Sequence, residues 1–95
     1  MTDIQQLINS VFFLTQDINA NVPNFACAFS NKYGACCIAI EKVTTNKKGD
    51  TVRTELIEIE VEIEDSDLTK TEIVFMLQQQ KQILKTFINY QNTVQ

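Results

Sequence analysis

From Glu58 to Glu64 the chain alternates without a break, with glutamate at 58, 60, 62 and 64 and Ile59, Val61 and Ile63 between them. Successive side chains of a strand point to opposite faces, so this run predicts one apolar face and one row of carboxylates. The same period of two runs through two earlier segments. Phe25, Cys27 and Phe29 alternate with Ala26 and Ala28, and Cys36, Ile38 and Ile40 alternate with Ala35, Cys37, Ala39 and Glu41. Strands are therefore expected over about 24–30, 35–44 and 51–64. Turn chemistry separates them: Asn31, Lys32, Tyr33 and Gly34 in the first gap, then Thr45 to Asp50 with Asn46 and Gly49 in the second.

The flanking segments change period. Ile4, Leu7, Ile8, Val11, Phe12, Leu14 and Ile18 recur at helical spacing, and Thr2 with Gln5 matches a capping box, predicting a helix over about 3–18. Asn19, Asn21 and Pro23 end it, because asparagine favours turns and Pro23 pushes Val22 toward extended geometry. A second helix is expected over about 70–91. Thr69 and Glu72 form its capping box, and Leu68 with Ile73 occupies the positions of a hydrophobic staple. Its apolar stripe is Ile73, Met76, Leu77, Ile83, Leu84, Phe87, Ile88 and Tyr90, with Gln80 in the middle, either at a wet margin or in need of a hydrogen bond. Phe13, one position off the first helix's stripe, is expected to be either a lateral core residue or a partly exposed contact, with the core favoured.

These elements assemble into one small α+β domain spanning 1–95, a two-layer α-β-β-β-α arrangement with both helices on the Phe25/Ile38/Ile59 face of a three-stranded antiparallel meander. A four-residue first turn would pair Phe29 with Cys36, Cys27 with Ile38 and Phe25 with Ile40, keeping the apolar residues together. The third strand is then an edge, with Glu58 and Glu60 beside small residues such as Cys37 and Ala39.

Composition narrows the chemistry. A chain of 95 residues that is 44% hydrophobic fits one small core with little stability to spare for an elaborate active site. The net charge of −4 disfavours phosphate backbones and anionic lipid surfaces, so neither nucleic acid nor membrane is an expected direct partner, and basic proteins are favoured. Three cysteines, two of them adjacent, make no disulfide framework and point to a reducing, cytoplasmic setting. The longest apolar runs, at Val11 to Leu14 and Ile73 to Leu77, are too short to cross a bilayer.

No histidine is present, which removes Cys-His nucleophilic pairs. No metal or cofactor site is expected. Asp65, Ser66, Asp67, Leu68 and Thr69 begin like a calcium loop, but Lys70 stands where glycine is needed and Met76 where the bidentate glutamate belongs. A flat carboxylate row also lacks a cleft to split pKa values, so the protein is expected not to be an enzyme.

The expected function is protein binding. Glu58, Glu60, Glu62 and Glu64, extended by Asp65 and Asp67, would present regularly spaced negative charge to a basic groove, imitating a nucleic-acid backbone and inhibiting a nucleic-acid-binding enzyme. The plainer account is that charge on an edge strand prevents pairing with other chains, and both can hold together. The alternative is a homodimeric, chaperone-like or structural protein that presents Ala26, Ala28, Ala35, Cys37 and Ala39 to itself or to an apolar client, because a solvated face seldom carries alanine and cysteine. In outline, the helix, meander, helix order with acidic charge is similar to small phage-encoded inhibitors and to the first part of acidic secretion chaperones.

Overall fold

A computed structural model of the chain describes residues 4–32, 34–64 and 67–93. The elements run α1 (Ile4–Asn21), β1 (Phe25–Lys32), β2 (Ala35–Thr45), β3 (Thr51–Glu62) and α2 (Lys70–Thr93). The three strands form one antiparallel sheet in the order β1-β2-β3. Both helices lie on the face that carries the branched and aromatic residues. On the α1 side Phe12 meets Phe29 edge-on at 5.2 Å, and on the α2 side Phe87 meets Phe25 in the same way at 5.0 Å. Between the layers Val11, Ile18, Ile38, Ile40, Leu77 and Leu84 are fully buried. Each such side chain contributes about 1.5–3 kcal/mol by leaving water.

The first hairpin is wound two residues tighter than a four-residue turn allows. Phe29 pairs with Ile38, Cys27 with Ile40 and Phe25 with Lys42, and the ladder continues to Lys32 opposite Ala35. Gly34 supplies the left-handed geometry there, at φ 74°, and a β-carbon on it would stand 2.7 Å from that of Glu64. The correction leaves the core unharmed, because a slip of two positions returns every side chain to its own face.

Two asparagines set the hydrogen-bonding phase of the sheet. The Asn19 side chain grips the free edge of β1: its Nδ2 donates to the Cys27 carbonyl at 2.9 Å, and its Oδ1 accepts from the Cys27 N–H at 2.7 Å. The residue expected only to end α1 thus substitutes for a missing strand, while α1 continues to Asn21. Asn24, at φ 69°, accepts from the Val43 N–H at 2.8 Å. Since Cys27 points its backbone groups outward and Asn24 points its carbonyl inward, the alternation of an antiparallel ladder fixes the direction of every N–H that follows.

Gln80 is the polar pin of the core. It is 0% exposed, and its Nε2 donates to the carbonyls of Cys36 at 3.2 Å and Ile59 at 3.1 Å. Its Oε1 faces the Cys36 thiol at 3.5 Å. One side chain of α2 therefore holds β2 and β3 together from below. The capping box of α2 forms in full, Thr69 N–H to Glu72 Oε1 at 3.1 Å and Glu72 N–H to Thr69 Oγ1 at 3.2 Å. The Thr2 half of the other box lies outside the described residues.

The β2–β3 hairpin outruns the helices that should cover it. Every residue from Thr51 to Glu58 is exposed, Ile57 included, although Ile57 shares the face of Ile59 and Val61. The molecule measures 48 × 27 × 16 Å with a radius of gyration of 14.7 Å. A compact domain of this length would have about 12 Å. Phe13 takes the less favoured of its two expected places: it is 69% exposed, with its ring 5.9 Å from that of Phe12.

Replacing Gln80 with alanine is expected to lower unfolding stability by about 2–4 kcal/mol, through a cavity and lost hydrogen bonds between layers. Denaturant titration measures this. A loss below about 0.5 kcal/mol would show that the strands do not depend on the pin.

Candidate functional site

The pleat assigns Glu58, Glu60 and Glu62 to the face away from the helices. Glu58 lies opposite Ala39, Glu60 opposite Cys37 and Glu62 opposite Ala35, so small uncharged residues flank the row as the sequence suggested. The row ends one residue earlier than expected. β3 stops at Glu62, and the N–H groups of Ile63 and Glu64 both turn to the Gly34 carbonyl, at 2.8 and 3.0 Å. Glu64 then packs over Gly34 instead of continuing the row. Asp65 lies outside the described residues, and Asp67 is exposed between β3 and α2.

Two further carboxylates join the face, Glu41 by the plain alternation of β2 and Glu55 through an irregularity that strict alternation hides. Ile57 pairs with Ile40 but Glu55 pairs with Glu41, leaving Leu56 as an extra residue. This β-bulge resets the parity of β3. By counting in twos from Ile57, Glu55 belongs on the helix side; the bulge carries it to the other. There the Glu55 carboxyl meets Glu58, and its pKa is raised by a hydrogen bond to Glu58, then by repulsion from Glu58, slight desolvation and repulsion from Glu41. Glu41, Glu55, Glu58, Glu60 and Glu62 thus form one field.

Among the described residues a single ion pair offsets it, Arg53 Nη1 to Glu41 Oε1 at 3.7 Å, and both partners are solvent-accessible. Such a pair contributes little to stability. Lys32 stands on the same face two strands from Glu62 and makes no ion pair within this set.

Cys37 sits inside the field, its thiol directed at Glu58 Oε1 from 3.9 Å. Desolvation raises its pKa first, and the charges of Glu58, Glu60 and Glu55 raise it further. Cys27 and Cys36 are buried, and burial pushes each thiol up to about 11. None of the three is activated as a nucleophile. Among the described residues no three His, Cys, Asp or Glu side chains gather as metal ligands. No described helix is long and apolar enough to cross a membrane.

The remaining small residues leave a shallow tract. Ala28 is exposed, and Ala26, Ala35, Cys37 and Ala39 are half-buried; among the described residues no element packs over them. At the β3 edge the surface dips into an open depression of about 340 Å³, lined by Glu60, Glu62, Asp67, Leu68 and Met76. Three carboxylates here border two apolar side chains. No protein-family model, no curated protein and no solved structure matches this chain.

Two measurements check this electrostatic picture. A carboxyl whose folded pKa is raised contributes stability that is complete below its unfolded pKa and is lost as pH rises through the folded value. Melting temperature should therefore fall from this source as pH rises through the carboxylate range, and Glu58→Gln should flatten that fall; identical pH profiles would remove the Glu55–Glu58 interaction. Glu58→Gln should also quicken alkylation of Cys37 at mildly alkaline pH, since one of the charges raising its pKa is gone. An unchanged rate would mean that desolvation alone holds the thiol.

Proposed function

We propose that the protein is a non-enzymatic binding protein whose acidic sheet face occupies a basic, nucleic-acid-binding surface of a partner protein and so inhibits it. The observation that carries this reading is the gathering of Glu41, Glu55, Glu58, Glu60 and Glu62 on one uncovered face, against one paired cation, Arg53. The raised pKa of Glu55, set first by its hydrogen bond to Glu58 and then by repulsion from Glu58 and Glu41, shows how close these carboxylates stand. An edge that needed only protection from self-pairing would be served by one or two charges on β3. Five carboxylates spread across two strands exceed that need and suit a partner of opposite sign, for which they would speed encounter and fix orientation. The mechanism is competitive occlusion.

A second reading, a homodimer or client interface through the Ala26, Ala28, Ala35, Cys37 and Ala39 tract, draws on the lack of a covering element there among the described residues. Stacking two copies face to face, however, brings Glu58 and Glu60 of one against carboxylates of the other, or leaves them at the rim. Sedimentation at rising concentration separates the readings, a dimer supporting the second.

Partner capture from the native cell with the wild-type protein and with a Glu58→Gln, Glu60→Gln, Glu62→Gln variant tests the first. The wild type should release its partner as salt rises or when duplex DNA is added, and the triple variant should retain about a tenth of the affinity or less. Equal retention by the folded variant, or binding indifferent to salt, would sink the proposal.

A further inference from the structure

The two edges of the sheet are not equivalent. At β1 the Asn19 carboxamide satisfies both backbone groups of Cys27. Among the described residues no element lies alongside β3: the sheet order ends there, and α2 reaches the strand from below, through Gln80.

The phase set by Cys27 and Asn24 shows which groups that edge offers. Cys27 lies opposite Ile40 and turns away from it, so Ile38 and Ile40 direct their N–H and C=O toward β3. Their partners Ile59 and Ile57, and Val61 beyond, are consequently bonded to β2, a phase the Ile63 N–H confirms by donating to Gly34. The outward backbone groups of β3 are therefore those of Glu58, Glu60 and Glu62. The residues that carry the charge are the same residues that carry the vacant hydrogen bonds.

We propose that the partner supplies an extended segment that adds to this edge as a fourth, antiparallel strand, with lysine or arginine at every second position. This rests on the acidic-face reading and adds its mode of engagement. A residue paired with an outward-bonding glutamate directs its side chain to the same face, with β-carbons about 4.5–5.5 Å apart, so each cation lies directly across from a carboxylate. The intervening residues turn toward Leu68 and Met76 at the rim of the depression, where an aliphatic side chain or the stem of an arginine finds apolar contact beside Asp67. Pairing of main-chain groups gives affinity and alternate side chains give selection. A second copy of this chain is the wrong occupant: antiparallel pairing centred on Glu60 opposes Glu60 to itself and Glu58 to Glu62, and like charges directly opposed are unfavourable.

The test uses the full chain, isotope-labelled, with short blocked peptides carrying lysine at every second position and threonine or valine between. The unmodified peptide should bind in a salt-sensitive way and slow amide exchange at Glu58, Glu60 and Glu62, leaving Ile59 and Val61 as they were. Methylating the backbone nitrogens of the lysines should weaken binding by about tenfold or more, whereas methylating those of the intervening residues should change it less than about twofold, since only the former donate to β3. Equal loss from both methylated peptides, or salt-sensitive binding without protection of the three glutamate amides, overturns strand addition while leaving acidic docking intact. Absence of salt-sensitive binding by any of these peptides overturns strand addition as well, and the partner-capture comparison then decides whether the acidic face binds in another manner.

Discussion

Among the described residues both helices cover one face of the three-stranded sheet, and no element covers the other. Everything distinctive about the molecule follows from that one-sidedness. The covered face takes Ile38, Ile40, Val61 and the aromatic rings of Phe25 and Phe29, and closes around the Gln80 amide. The other face carries alanines and glutamates in place of a core. Because the pleat leaves no intermediate position, each residue of the sheet belongs wholly to one task or the other. The protruding β2–β3 arm belongs to neither layer, which is why Val52, Leu56 and Ile57 meet solvent.

Most of this architecture could be read from the residues. Periods of two and of three to four distinguish strands from helices without ambiguity here, and Thr69 with Glu72 marks the start of α2 to the residue. Register was less accessible. The turn at Asn31 to Gly34 is compatible with either of two pairings that expose the same faces, and hydrophobic pattern has no power to choose between them. Only the backbone geometry of Gly34 decides.

The acidic field shows the same boundary more sharply. Glu58, Glu60 and Glu62 were legible because they alternate. Glu55 was not, because a bulge at Leu56 is an exception to alternation and leaves no sign in the apolar pattern of a segment that nothing buries. Glu64 was over-read for the opposite reason: the alternation continues through it while the ladder ends at Glu62. Gln80 stood out in its stripe as a polar residue needing an explanation, and its contacts with Cys36 and Ile59 supply one; Asn19 gave no signal, since its partner lies across a layer boundary.

That clasp of Asn19 on Cys27 has a consequence for growth. A sheet extends indefinitely, as in a fibre, only when each added molecule presents a fresh edge for the next. Here the middle of one edge is closed by a side-chain amide, so a strand added on the other flank, as proposed, would find no continuation on this one. In the vocabulary of polymerisation the molecule would then be a chain terminator.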